Sequence, residues 1–198
     1  MTKAGTADMT YKIIRSSRKT LALSIKGLEV IVRAPYGVGE GMIEEFVLSH
    51  RDWIECQLSA AKKREERFAD VDELCHQELQ KLKKDALKVF EQRCAHYGLV
   101  MGVDYQKISV RCQKTRWGSC NSKGQLSFNC LLLLAPSEVL DSVVVHELCH
   151  IKYMNHSKEF YDELLKVFPN YKRCRDWLKE NGEGLIKRLP MNKKQSEL

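Results

Sequence analysis

Residues 143–156 read VVVHELCHIKYMNH, and no other stretch restricts the fold so tightly. Val139, Leu140, Val143, Val144 and Leu148 run nearly all round a helix, which predicts that this helix is buried. The same helix carries His146, Glu147 and His150. A neutral histidine in a core needs partners for both ring nitrogens, and several together need many. Helical residues four apart stack one turn apart on one face, so His146 and His150 can both reach a single ion. Glu147 lies one residue further round. It can stand beside such an ion without binding it, close to a water the ion would activate. That arrangement suits metal-assisted hydrolysis, in which the carboxylate takes the water's proton and passes it to the leaving group.

A catalytic zinc usually has three protein ligands and one open position. His156, in the spacing H-E-x-x-H-x5-H, is the expected third. "MNHS" reads as a bend, and Asn155 tolerates the left-handed backbone angles that would swing His156 back toward the other two. The competing third ligands are the carboxylates Glu159, Glu163 and Glu180. Cys149 sits inside the motif, one position before His150, so it points away from the ligand face and reads as packing.

The rest of the chain sorts into strands first and helices after, which argues for an α+β fold. Residues 11–35 read as strands, with "TLALSI" and "LEVIVRAP" separated by a turn at Lys26–Gly27. From about Gly41 to Arg67 the period is helical, with Ile43, Phe46, Val47, His50, Trp53, Ile54 and Leu58 on one face. His50 on that stripe reads as a core or boundary histidine and not as a ligand. A second long helix is expected over 72–97, with the stripe Leu79, Leu82, Ala86, Phe90 and Cys94, and with Gly98 ending it. Two strands follow, about 106–112 and 125–134, joined by "QKTRWGSCNSKG". Further helices are expected from Pro136–Ser137 through the motif, from Ser157 to Val167, and from Tyr171 to Lys179. The organisation is thus a β-rich N-terminal subdomain with a helix (1–71), a metal-binding domain (72–185) and a disordered tail (186–198). The charge-rich stretch from Lys62 to Asp72 is the expected hinge.

Composition narrows the class of protein. No run approaches the roughly 18 apolar residues of a membrane span, and "MTKAGTADMTYK" lacks the apolar core of a secretory signal. A cytoplasmic location with no membrane partner is expected. The eight cysteines include no C-x-x-C pair. Most are therefore expected to be small buried hydrophobes, neither disulfides nor a cysteine-rich zinc site. A net charge of +7 suits an acidic partner such as a nucleotide or nucleic acid. The basic residues are spread in runs, however, and most read as solvated helix faces.

The segment "TRWGSCNSKGQLSFNCLLLLAPSEVLDSVVVHELCHIKYMNHSKEFYDEL" resembles the YgjP-like metallopeptidase domain, a zincin-type family. "RSSRKTLALSIKG" and "VIVRAPYGV" resemble its N-terminal half. The resemblance spans roughly residues 10–180, and over the metal helix and third histidine only it extends to SprT-like and WLM-type proteases that act on proteins attached to DNA. It implies a zinc-dependent hydrolase with a zincin-like fold, Zn2+ held by His146, His150 and His156, and Glu147 as general base. Metzincins share the ligand spacing but carry glycine three residues after the second histidine. Here that residue is Tyr153, so the turn must be made differently. "TRWGSC" precedes the strand that in zincin folds runs beside the metal helix and holds extended substrates. Arg116, Trp117 and Ser119 are therefore candidate cleft residues, with Arg116 meeting a carboxylate or phosphate, and Asn129 is a further candidate. Arg173 and Arg175 are weighed as anion-holding residues against a solvated face.

The function these readings favour is a zinc metallopeptidase acting on a peptide or protein. The alternatives are a metal-dependent nucleotide (UTP) pyrophosphatase and a basic nucleic-acid-associated protein whose metal is structural. A structural zinc normally has four protein ligands, and only three can be named here.

Overall fold

The computed structural model describes residues 2–4 and 9–190 of the chain, with side chains from residue 9 onward. The chain divides into two compact units, Met1–Asp70 and Val71–Leu198. Strands dominate the start and helices the remainder, giving the expected α+β fold.

The first unit contains β1 (Thr2–Ala4), β2 (Thr10–Ser16), β3 (Ala22–Lys26), β4 (Glu29–Pro35), α1 (Glu40–Ser49) and α2 (Arg51–Arg67). The strands form one sheet in the order β1-β2-β4-β3, with β2 and β4 parallel. β3 and β4 form a hairpin that turns at Gly27, whose φ of 60° is the left-handed conformation glycine adopts freely. Val30, Val32 and Ala34 alternate along β4 and build a small core with Ile43, Val47 and Ile54 of the two helices.

The single helix expected over 41–67 is two helices, broken at His50. Local competition for one carbonyl explains the break. The Ser49 hydroxyl donates to Phe46 O at 2.9 Å, and His50 Nδ1 lies 2.8 Å from the same oxygen. The His50 N–H turns to Val47 O, a tighter turn than the α-helix makes. The apolar stripe resumes beyond this point at Ile54, which is buried, but His50 and Trp53, expected on it, are exposed.

The second unit opens with α3 (His76–Met101), followed by β5 (Lys107–Arg111), β6 (Gly118–Cys120) and β7 (Gln125–Asn129). A short 3-10 helix (Cys130–Leu134), α4 (Ser137–Lys152), α5 (Lys158–Val167) and α6 (Tyr171–Lys187) complete it. The sheet order is β5-β7-β6, with β5 parallel and β6 antiparallel to β7. Its core joins Phe90 of α3, stacked on Phe128 of β7 with centroids 4.4 Å apart, to the apolar residues of α4. α4 is buried on nearly every side, as its sequence pattern requires.

Four boundaries differ from the expectation. Gly98 does not end α3. It is buried within the helix, where an added Cβ would meet Val103 O at 3.1 Å. The helix ends at Gly102 instead, at φ 61°, with Val103 N bonded to Gly98 O and Gly102 N to Leu99 O. The strand expected over 125–134 stops at Asn129, because the Asn129 side chain accepts the Leu131 N–H and starts the 3-10 turn. β6 was not foreseen within the connecting loop. α6 extends to Lys187, so Ile186 and Lys187 are helical and not part of a tail. Leu189, also in that expected tail, is buried, and residues 191–198 lie outside the described residues.

All eight cysteines are free. Cys94, Cys130, Cys149 and Cys174 are buried, Cys112 and Cys120 are half-buried, and Cys56 and Cys75 are exposed, so the packing role holds for some of them only. No helix among the described residues is long and apolar enough to cross a membrane.

Candidate metal centre

α4 presents His146 and His150 from successive turns, as their spacing requires. The chain leaves α4 through Tyr153, which is extended (φ −132°, ψ 99°), and bends at Met154–Asn155. No left-handed glycine is used. Lys152 Nζ contacts Glu163 Oε1 at 2.7 Å, tying the end of α4 to α5 across that bend. His156 is thereby turned back, and one ligand atom from each of the three histidines lies within 4.8 Å of the others. Among the described residues, these are the His, Cys, Asp and Glu side chains grouped closely enough to hold an ion. Of the competing carboxylates, Glu163 faces Lys152, and Glu180 lines a separate cavity of about 720 Å3 at the N-terminal ends of α4 and α6.

The hydrogen bonds select which nitrogens are available. His150 Nδ1 lies 3.0 Å from Tyr153 O, a carbonyl that only accepts, so Nδ1 carries the proton and Nε2 is free. His146 Nδ1 lies 3.0 Å from the Tyr171 hydroxyl. His146 Nε2 and His156 Nε2 face each other at 3.1 Å, close to the roughly 3.3 Å that two imidazoles on one tetrahedral zinc would have, given zinc–nitrogen bonds near 2.0–2.1 Å. Phe160, fully buried, packs against all three imidazoles, with centroid distances of 4.7 to 5.0 Å.

Charge states follow from this burial. Desolvation, helped by the two neighbouring imidazoles, pushes His146 down to about 3. Desolvation also lowers His150, against the pull of the Tyr153 carbonyl. Both rings are therefore neutral near pH 7, the form in which histidine binds metals. Glu147, only 5 % exposed, is pushed by burial up to about 8, with Arg116 pulling the other way. Such a carboxyl keeps its proton near neutrality unless a further cation stands beside it. The donor set and its charge state thus fit a divalent metal.

Glu147 forms one wall of a cavity of about 390 Å3, shared with His146, Tyr171 and residues of α6. Sequence reasoning missed three residues that shape this site. Gly118 on β6 lies so close that an added Cβ would sit 2.5 Å from Glu147 Oε1. Tyr171 stacks on His146 at 5.7 Å and 13°. Phe160 supports the histidines from α5. Gly118 was within reach as part of "TRWGSC", whereas nothing local marks Tyr171. Of the expected cleft residues, Arg116 and Trp117 line the cavity; Ser119 and Asn129 are not among its lining residues. The buried Asn129 amide donates to Gln113 O (2.7 Å) and Arg116 O (3.1 Å), so it shapes the loop that carries Arg116. Arg175, weighed against a solvated face, lines this cavity; Arg173 lines the larger one.

A helix offering two histidines and a buried glutamate, with a third histidine returned by a bend, is an arrangement that metal-dependent peptidases use. A YgjP-like metallopeptidase domain model matches residues 69–181, more than half the chain. The chain belongs to this family, whose class is metal-dependent peptidase. Among solved structures it is similar to the metallopeptidase zymogen abylysin of Pyrococcus abyssi, at 25 % identity and TM-score 0.42, over 45 % of this chain and 90 % of that one. It is also similar to the zymogen jannalysin of Methanocaldococcus jannaschii, at 21 % identity and TM-score 0.40, over 48 % and 95 %. No protein of curated function matches the sequence.

Proposed function

We propose that the second unit is a zinc-dependent peptidase in which His146, His150 and His156 hold the metal and Glu147 is the general base. The observation that carries this reading is the convergence of three imidazoles, with one buried carboxylate beside them on a cavity wall. A zinc ion held there supplies an acidified water and polarises the scissile carbonyl. Glu147 accepts the proton released as the water attacks and returns it to the departing amine. Gly118 keeps β6 close enough to hold Glu147 against the cavity, and Tyr171 fixes the plane of His146.

β6 has the position of a substrate-binding edge. Asn129 N donates to Trp117 O and Asn121 N to Gln125 O, so residues 117 and 121 turn their backbone groups toward β7. By the alternation of an antiparallel pair, Gly118 and Cys120 turn theirs to the opposite edge. A peptide added there as a strand would run past Glu147, with Arg116, Trp117 and Ser119 beside it.

The deciding experiment pairs the wild type with Glu147→Gln. Metal content by mass spectrometry should be equal and near stoichiometric for zinc, while cleavage of an unfolded protein substrate should drop by a factor of about 100 or more. Full activity in the variant rejects the mechanism. Release of pyrophosphate from UTP by the same wild-type protein, with no peptide cleavage, would move the reading to nucleotide hydrolysis.

A further inference from the structure

The cavity beside Glu147 is lopsided in charge. Its walls carry Arg116, Arg175 and Lys179, and Glu147 is its only carboxylate. The cations come from opposite sides. Arg116 belongs to the loop entering β6, held by Asn129, while Arg175 and Lys179 are four apart on α6 and so share a helical face. Tyr171 and Leu178 belong to the same stripe, which turns α6 into a wall of the cleft. Trp117, Val143 and Leu178 add apolar surface to the lining.

Arg175 has one anionic neighbour, Asp176 Oδ1 at 3.2 Å, but both side chains are about half exposed. Such a pair is weak and yields readily to a better-placed anion. Asp176 itself lines the other cavity, where Glu138 and Glu180 balance Lys172 and Arg173. The positive excess therefore belongs to the catalytic cavity. Peptide-bond hydrolysis alone does not require it, since the backbone of a substrate is neutral.

We propose that this cavity is a specificity subsite for a carboxylate next to the scissile bond, gripped between Arg116 on one side and Arg175 with Lys179 on the other. An arginine can take a carboxylate through two parallel hydrogen bonds, and the apolar patch accepts the methylene stem of a glutamate. The carboxylate comes either from an acidic side chain or from the free C-terminus of a peptide. This inference rests on the peptidase reading, so its test is kept separate from turnover.

The test is binding of end-blocked, fluorescently labelled peptides to zinc-loaded Glu147→Gln, which holds a substrate without cutting it. The peptides are identical except for Glu, Gln or Lys at the central position; a fourth carries Gln there and a free C-terminal carboxylate. Charge-assisted contacts predict that the Glu peptide, the free-carboxylate peptide or both bind roughly ten- to hundredfold more tightly than the blocked Gln peptide. Which of the two gains identifies the source of the carboxylate. Adding Arg175→Glu and Lys179→Glu, which reverses the charge of the α6 wall at two exposed positions, should abolish the preference and favour the Lys peptide. Equal affinity for all four, including no measurable binding of any, overturns the proposal, as does a preference that survives neutralising Arg116, Arg175 and Lys179 together. Wild-type cleavage of the same peptides reads the parent proposal independently: a carboxylate preference in binding without any cleavage would retire the peptidase and keep the subsite.

Discussion

At the scale of single residues, the site depends on two that carry none of its chemistry. Gly118 is a position where one methyl group decides the geometry. Gly118→Ala would place carbon 2.5 Å from Glu147 Oε1, so either β6 or the carboxylate must move. Misplacing a reacting group by about 1 Å can cost a factor of about 100. We expect kcat/KM to fall by about that much while zinc content stays unchanged, because the histidines are not displaced; loss of zinc together with activity would show that β6 supports the metal and not the base. Tyr171 acts on the metal side. When His146 coordinates through Nε2, its Nδ1–H donates to the Tyr171 oxygen at 3.0 Å. Removing a partner of this kind typically weakens metal affinity by about 10- to 100-fold. Tyr171→Phe keeps the stacked ring, so competition with a zinc chelator isolates the hydrogen bond, and an unchanged affinity would deny it a role.

At the scale of elements, α6 shows why much of the site was hidden in the sequence. His146, Glu147 and His150 were legible because helical spacing alone puts them together, and His156 because it lies one bend away. The stripe of Tyr171, Arg175, Leu178 and Lys179 looks in sequence like any amphipathic face. Only the packing of α6 on α4 turns it toward the cavity, and no local pattern encodes that. Short-range competition produced the other misses. Side-chain bonds to Phe46 O split one expected helix, and the Asn129 side chain turned an apolar run from strand to 3-10 helix. Gly182 lets the packing of α6 be tested. Glycine within a helix ordinarily costs about 1 kcal/mol relative to alanine, so Gly182→Ala should stabilise on propensity alone. Here the new Cβ would meet Trp117 Cζ2 at 2.7 Å. We expect the melting temperature to fall and activity to fall with it; a rise would mean that Trp117 is free to shift.

At the scale of the whole molecule, the family match to residues 69–181 falls almost entirely within the second unit, where the three clustered histidines lie. Stability of that unit should depend on metal and pH together. His146 has a folded pKa near 3, below its unfolded value, so its share of stability is complete above about pH 6.5 and is lost as pH falls toward 3. Glu147 has a folded pKa near 8, above its unfolded value, so without metal it destabilises increasingly as pH rises from about 4.5 to 8. Zinc reverses the second effect, because it binds neutral imidazoles and favours an ionised carboxylate. The rise in melting temperature on adding zinc should therefore grow from about pH 5 to about pH 8. It should approach an equivalent of about 4 kcal/mol when zinc is about 1,000-fold above its Kd. A response that is flat across this range would contradict the assigned protonation states. The seating of Trp117 on Gly182, in the lining of the cavity beside Glu147, has an optical consequence. The chain's other tryptophans are Trp53, exposed in the first unit, and Trp177, on the larger cavity. With both replaced by phenylalanine, the remaining indole becomes an intrinsic fluorophore whose emission reads the filling of the cleft in real time.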